Sequence, residues 1–450
     1  RGRAPVRFTL QYSPHGPLLG GALGAPASDV AVRWSSADPA HSIRGIGNLN
    51  HARNWPEFLA AVRDFQDPSQ NVIFADTAGH IGYVMGGRVP LRGSADPATA
   101  RTPPILPVPG WTGEWDWKGY LPFEQHPHVL DPPDGYVVTA NNRQDTSALA
   151  RLITTDWMPP WRAARIREMI RGGGAQAPRP VPGGGLRQPE VAPARAFDAA
   201  AILRMQMDVH DALAERYRGR ALEAATGAGL RALANELAAW NASASPDSHT
   251  AAVFESWVLE LGHLEAVSLY GSPRPGYFPS GLEDRTLEEG RLPWDPDTAA
   301  FRGLAVRAMR AADSVARGKT WGELNHVIVA HALGTVRPLQ WLLRLNLGPA
   351  PRGGSPATVN VSDWSGGVPP VTTPYGPSQR HVVDMGDPDG SGGFILPTGE
   401  SGLPFEPHYR DMYPAWRDGR LWRIPLDSVR ARARAVHFLE LVPATTTSTR

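Results

Sequence analysis

The chain has 450 residues, of which 42% are hydrophobic, and its formal net charge is +1 at pH 7. This size and composition predict a substantial core, and the balanced charge gives no indication of a nucleic-acid partner. The chain contains no cysteine, which excludes disulfides, thiolate nucleophiles and cysteine-ligated zinc, and it lacks the run of about 18 apolar residues that a membrane-spanning helix needs.

Residues 1–150 are predicted to be mainly strands and turns. The segment NWPEFLAAVRDF (54–65) is an exception, because its apolar residues recur at helical spacing and its proline suits a first helical turn. Residues 71–92 predict a β-hairpin, since aromatic and β-branched residues flank the turn sequence DTAG. We therefore expect this stretch to be largely β, with one helix.

The stretch GYVVTANNR (135–143) combines a β-rich run with two adjacent asparagines. Because asparagine is depleted in strands, we expect a strand over 136–139 that ends at Asn141 and Asn142. The pair is either a plain turn or the source of an amide that points at a substrate. The local sequence leaves both possibilities open.

The middle of the chain changes to helical periodicity. Residues 151–350 are predicted to be mainly α, with helices over 157–171 and about 189–345. Residues 351–440 are predicted to be mainly β, and the late run ARAVHFLELVP is predicted to be a last strand. Strands, then helices, then strands favour an α+β fold in which residues 1–450 form a single region.

No local motif identifies a cofactor or a nucleophile. His126 and His128 lie in a proline-broken loop, and His326 and His331 do not share a helix face, so neither pair indicates a metal site. No phosphate-binding loop is present. The sequence GESGL ends in leucine where the G-x-S-x-G nucleophile elbow requires glycine.

Three tryptophans, Trp111, Trp115 and Trp117, lie close together in the sequence. Such a set either forms a platform on which a sugar stacks or packs within the protein. Alternating aromatic residues in a strand more often pack in the core or as cross-strand pairs, so we expect the packing role.

Several segments taken together resemble the penicillin acylase family of N-terminal-nucleophile hydrolases. They occur in the family's order from about residue 6 to about residue 440, and this many segments in register are more specific than any one alone. The matching segments are HGP (15–17), NWPEFLAAV (54–62), QNVIFADTAGHIGY (70–83), PVPGWTGEWDWKGYLPF (107–123), DPPDGYVVTANNR (131–143), WRAARI (161–166), MQMDV (205–209), TVNVS (358–362) and LPTGESGLPFEPHYRDMYPAWRDG (396–419).

The resemblance implies a four-layer αββα sandwich and hydrolysis of a linear amide. In this family a precursor cleaves itself into a small and a large chain, and the new N-terminal serine of the large chain is the nucleophile. The α-amino group of that serine acts as the base. The implied substrates are penicillin or cephalosporin side chains, or the acyl chains of acyl-homoserine lactones. The resemblance further implies a small-chain partner and export to the periplasm or beyond.

The resemblance also implies three site residues. Asn141 matches an asparagine that donates a side-chain N–H into the oxyanion hole, with Asn142 as the second choice. Arg162 matches an arginine that supports this asparagine, and the alternative role for it is a structural ion pair. Pro104 matches a residue whose backbone carbonyl binds a structural Ca²⁺, although most other ligands are expected upstream of this chain. No cofactor is expected for catalysis.

The start of the chain departs from the family pattern. The sequence begins at Arg1, and its first serine, Ser13, is neither terminal nor in a matching context. We therefore expect the N-terminal part of the domain, including the nucleophile, to lie outside this chain. These 450 residues alone are expected to be inactive. The alternative is a binding protein that keeps the acylase fold without catalysis.

Overall fold

The computed structural model describes residues 10–20, 30–145, 147–172, 197–271, 282–292, 294–295, 297–362, 371–373, 376–436 and 438–440. The chain divides into two compact units, residues 1–163 and 164–450. No helix within the described ranges is both long and apolar enough to cross a bilayer.

The first unit consists of short helices and strands. Its helices are α1 (Ser42–Leu49), α2 (Trp55–Asp64), α3 (Ala150–Ile153) and the start of α4 (Trp161–Arg171). Its strands are β1 (Tyr12–Ser13), β2 (Gly16–Pro17), β3 (Gln70–Ala75), β4 (Ile81–Gly86), β5 (Pro90–Arg92), β6 (Trp117–Tyr120) and β7 (His128–Leu130). The pairs β1–β2 and β5–β6 form two small sheets, and the third sheet has the order β3-β4-β7.

The predicted helix and hairpin of the first unit are both confirmed. Asn54 caps α2, because its side chain accepts a 3.0 Å hydrogen bond from the backbone N–H of Glu57. Pro56 lies in the first turn of the helix, where its missing N–H is not needed. Strands β3 and β4 pair antiparallel, with Gln70 opposite Gly86.

Strand β4 lies at the centre of the three-stranded sheet, and its side chains alternate between two apolar clusters. Val84 packs with Phe58 and Phe74 in the cluster that includes α2. Tyr83 and Met85 belong to the other cluster, which extends to β5 and α3. This alternation follows from the twofold periodicity of a strand, and it makes β4 the centre of the first unit.

The second unit contains most of the helices. They are α5 (Ala199–Gln206), α6 (Ala212–Gly227), α7 (Arg231–Ala239), α8 (His249–Tyr270), α9 (Leu282–Glu289), α10 (Thr298–Ala316), α11 (Trp321–Leu324), α12 (Arg337–Leu343), α13 (Tyr413–Arg417) and α14 (Ser428–Arg434). The strands are β8 (Asn325–Val329), β9 (Leu347–Pro351), β10 (Val371–Thr373), β11 (Arg380–Val382) and β12 (Gly393–Ile395).

Helix α8 is the centre of the helical part of the second unit. Residues 251–259 are all buried, which is the pattern of a helix surrounded on every side. It contacts α6, α7, α9, α10 and α11. Trp257 is fully buried, and its indole N–H donates to the carbonyl of Ala305 in α10 at 3.1 Å. Strand β8 pairs parallel with β10 and antiparallel with β9.

Three sequence predictions are wrong. Residues 136–139 are not a strand, because no described neighbouring strand pairs with them. Strand β8 interrupts the stretch predicted as helix up to residue 345, since its sequence NHVIV favours a strand. The predicted last strand is also absent from the described residues: α14 occupies its first residues, and its arginine- and alanine-rich sequence favours a helix. Among the described residues of 351–440, the strands are the end of β9 and the three-residue strands β10 to β12, so this part is not mainly β.

Two buried carboxyl groups meet beside α8. Asp211 caps α6 through the N–H of Ala214 at 2.7 Å, and it also accepts a short hydrogen bond from the hydroxyl of Ser355. Glu255 in α8 hydrogen bonds to Asp211, and both side chains are almost fully buried. Burial and the neighbouring charge of Asp211 raise the pKa of Glu255 well above its usual value. Glu255 therefore holds the proton that the pair shares.

The shared proton makes stability depend on pH. The folded-state pKa of Glu255 is raised, so its contribution to stability is complete below its unfolded-state pKa and is lost as pH rises through the folded-state pKa. Glu255→Gln keeps a donor toward Asp211 and removes this loss. We expect the free energy of unfolding of the wild type to fall relative to this variant by up to about 1.4 kcal/mol per pH unit in that range.

Denaturant unfolding of the full-length protein across the pH range measures this difference. Glu223→Gln is a matched control, because Glu223 lies exposed on α6 and pairs with Arg220 at 3.5 Å. A wild-type pH dependence equal to that of Glu255→Gln contradicts the shared proton.

Candidate active site

A hydrogen-bond chain fixes the segment that leads to the asparagine pair. The hydroxyl of Tyr83 donates to Oδ1 of Asn71 at 2.7 Å, and Nδ2 of Asn71 donates to Oγ1 of Thr139 at 2.9 Å. Burial raises the pKa of Tyr83 to about 12, so this phenol remains a donor at neutral pH. The sheet thus holds Thr139 through a side-chain hydrogen bond, without strand pairing. Nothing in the sequence predicts this arrangement, because it joins residues from three separate segments.

Asn141 has a left-handed backbone conformation, with a φ of 64°. Asparagine tolerates this region better than most residues. The carbonyl of Asn141 accepts a 3.1 Å hydrogen bond from the N–H of Met158. The chain therefore turns sharply at Asn141, and the side chain is exposed at this turn.

Arg162 determines which way the Asn141 amide points. Its Nη2 donates to Oδ1 of Asn141 at 2.8 Å. A guanidinium has donors and no acceptor, so the amide must present oxygen to Arg162 and direct its NH₂ group away. Among the described residues, none accepts a hydrogen bond from Nδ2 of Asn141. The result is a neutral N–H donor with a fixed orientation and an exposed position.

Asn142 has a different role. It is only 4% exposed, and its Oδ1 accepts hydrogen bonds from the N–H of Ala140 at 3.2 Å and from Gln144 at 2.8 Å. Its Nδ2 donates to the carbonyl of Arg143 at 3.0 Å. The second asparagine therefore stabilises the turn through its own amide, as turn-forming asparagines commonly do. The local sequence predicts a turn at both residues, and the family resemblance favours Asn141 over Asn142 as the donor.

The tryptophans form no common platform. Trp111 lies in a short 3₁₀ turn and is 89% exposed, so the expectation that it packs is wrong. The guanidinium of Arg101 lies over Trp115, 5.1 Å from the ring centroid. Arg33 and Arg92 lie over Trp117 at 4.6 and 5.7 Å. Arginines thus occupy the rings of Trp115 and Trp117, two of the three on which a sugar could stack.

The described residues offer no assembled metal site. Pro104 lies in an exposed loop, and no group of three or more acidic or histidine side chains in the described part of the chain is arranged to hold a metal ion. A single backbone carbonyl is too few ligands for Ca²⁺. The residues present therefore do not fit a calcium site by themselves. His126 and His331 each hydrogen bond to backbone groups.

The solved structures identify the fold. The chain matches the structure of the thermostable penicillin G acylase from Alcaligenes faecalis with a TM-score of 0.57 and 17% identity, over 99% of this chain and 80% of that chain. The chain shares its mixed helix and sheet fold with that structure. The expected fold class is confirmed.

Sequence comparison then gives the family. The family model for penicillin amidase matches residues 1–433, and the chain belongs to this family. It is 29% identical to the penicillin acylase 2 proenzyme of Pseudomonas sp. (strain SE83), over 99% of this chain and 55% of that protein. It is 28% identical to the acyl-homoserine lactone acylase QuiP of Pseudomonas fluorescens (strain Pf0-1), over 95% of this chain and 52% of that protein. The chain spans about half the length of these curated relatives.

The two asparagines should differ in their effect on stability. Asn142→Ala removes a buried acceptor and leaves the Ala140 N–H without its partner, so we expect a loss of about 1–3 kcal/mol in the free energy of unfolding. Asn141→Gly removes an exposed side chain with its hydrogen bond from Arg162, but it relaxes the left-handed backbone, so its loss should be smaller. Denaturant titration of both variants measures these losses. An equal or larger loss of unfolding free energy in Asn141→Gly would contradict the prediction.

Proposed function

We propose that the protein containing this chain is an amidohydrolase of the penicillin acylase type, which converts a linear amide to a carboxylic acid and an amine. Membership of the penicillin amidase family supports this reaction class, as do the acylase names of the two relatives. The observation that carries the proposal is the Asn141 amide, which Arg162 holds with its N–H directed outward.

Asn141 contributes one donor of the oxyanion hole. When a nucleophile attacks the amide carbonyl, negative charge develops on the oxygen, and a donor already in place stabilises that charge more than it stabilises the substrate. The amide is suited to this role because it is neutral and hydrogen bonded at its other end. A second, backbone donor is expected from a segment outside this chain.

Arg162 is a positioning residue. It acts on the reaction through the orientation of Asn141, and its positive charge also polarises the amide that it contacts. The structure gives Arg162 further interactions besides this hydrogen bond. Its role in the site therefore coexists with a structural one.

The nucleophile is an N-terminal serine outside these 450 residues. Its α-amino group, with an ordinary pKa of about 8, accepts the hydroxyl proton near neutral pH. The "proenzyme" in the name of one relative supports a precursor that is processed into a small and a large chain. We propose that the small chain is the partner, that the mature protein is exported to the periplasm or beyond, and that any Ca²⁺ is structural.

Substitution of Asn141 tests the oxyanion role. In the full-length protein, Asn141→Ala should reduce kcat by about 10²–10³-fold, because one charge-stabilising donor is lost. Asn141→Gly is the matched variant, since it removes the same amide and fits the left-handed backbone. Equal losses assign the effect to the amide. Near wild-type activity of the glycine variant would refute the role, because the loss in the alanine variant would then come from backbone strain.

A double-mutant cycle with Arg162 separates positioning from structure. Arg162→Ala should lower kcat in the wild type and have little further effect in the Asn141→Gly background, because its contribution passes through the amide. Fully additive effects contradict this coupling. A panel of phenylacetyl, glutaryl and long-chain acyl amides supplies the substrates for these assays and determines the acyl preference.

The 450-residue chain alone should show no amide hydrolysis, whereas the full-length protein is active on at least one member of the panel. The reason is that a donor without a nucleophile only polarises a carbonyl. Activity of the chain alone contradicts the assignment of the serine to another segment. A full-length protein that binds these amides without turnover supports the alternative, an acylase-fold binding protein.

A further inference from the structure

Two buried arginines lie side by side in the second unit. Along the sequence they are far from the proposed oxyanion-hole residues. Arg352 follows β9 and is 5% exposed, and Arg380 begins β11 and is 2% exposed. Both guanidinium groups lie over the ring of Trp416, at 5.4 and 5.2 Å from its centroid. Both also donate to the same atom, Oδ1 of Asn360, at 3.0 and 2.8 Å.

The remaining partners of this pair are neutral. Arg352 donates to the carbonyl of Val361 and Arg380 to that of Trp416, each at 2.7 Å. No carboxylate among the described residues forms an ion pair with either arginine. In both side chains Nε is buried without a hydrogen-bond partner. Two positive charges are therefore buried together without an opposite charge in the described part of the chain.

Two acidic residues that adjoin this cluster in the described part of the chain are engaged elsewhere. Asp208, whose carbonyl accepts from the N–H of Asn360, directs its carboxylate to Arg165 at 2.8 Å. Asp418, which follows α13, pairs with Arg417 and Arg420.

Both arginines stay charged at neutral pH. Burial lowers the pKa of each to about 10, and the charge of Arg380 adds to the effect on Arg352. This value still leaves both groups protonated near pH 7. Burying a charge that has no counter-charge is strongly unfavourable, and an arginine neutralises far less readily than a lysine.

We propose that Arg352 and Arg380 together bind one small monovalent inorganic anion, of the size of chloride or bromide. The anion supplies the counter-charge that the described residues do not provide, and it accepts from the buried Nε–H groups. Gly376 packs closely on the cluster, since an added Cβ there would lie 2.8 Å from Nη2 of Arg352 and 3.2 Å from the Trp416 ring, and a small ion suits such close packing. The bound ion joins β9, β11 and α13, so its effect is on the stability of this part of the second unit.

Thermal unfolding of the full-length protein in sodium bromide or sodium gluconate tests the proposal, with ionic strength held constant. Bromide fits the site and gluconate is too large. We expect bromide to raise Tm by a few degrees with saturation in the millimolar range, and gluconate to have no such effect. Arg380→Gln should lose the saturable rise. Arg420→Gln, an exposed arginine that pairs with Asp418, should keep it.

Bromide anomalous diffraction provides a second measurement that does not depend on the folding of a variant. A peak within hydrogen-bonding distance of Arg352 and Arg380, in crystals with millimolar bromide, supports the site. Absence of the peak, or equal effects of bromide and gluconate on Tm, overturns it. A peak only at molar bromide, without a saturable rise in Tm, marks an adventitious ion only and also overturns it.

Discussion

The hydrogen bond from Arg162 to Oδ1 of Asn141 determines the chemistry that this part of the molecule can offer. An exposed asparagine normally exchanges the positions of its oxygen and nitrogen at little cost, so by itself it gives neither a donor nor an acceptor at a defined point. The guanidinium removes that freedom because it has only donors. The position of α4 therefore matters as much as Asn141 itself, and the left-handed turn at Asn141 aligns the two.

Local elements were predictable where one segment contains its own signals. Asn54, Pro56 and the apolar spacing that follows define α2 without help from the rest of the chain. The DTAG turn similarly defines the hairpin. The run 136–139 has the same β-forming residues, yet a strand needs a neighbour, and the described residues provide none. Its position depends on Thr139 and on Asn71, which is 68 residues away. Sequence periodicity contains no information about such a contact.

In the candidate active site, too, some features are predictable from one segment and others depend on residues distant in sequence. The end of the β-rich run predicts a turn at Asn141 and Asn142, and the family resemblance favours Asn141 as the donor. The physical difference between them lies in their partners: Asn142 uses its amide on Ala140, Arg143 and Gln144, whereas Asn141 contacts a helix that begins twenty residues later. For the tryptophans, residue type predicts packing in a core. Their spacing in the sequence does not predict the arginines that lie over the rings.

The φ of 64° at Asn141 limits which amino acids natural variation can place there. Glycine adopts this conformation freely and has no side chain to offer, and aspartate adopts it but presents an acceptor at both oxygens. Histidine tolerates it as well, although its two ring nitrogens lie on opposite edges and cannot contact Arg162 and a nearby carbonyl in the same way. The left-handed backbone and the need for an acceptor and a donor on one side chain thus both select asparagine. Divergent descendants of this chain therefore have almost no alternative at this position.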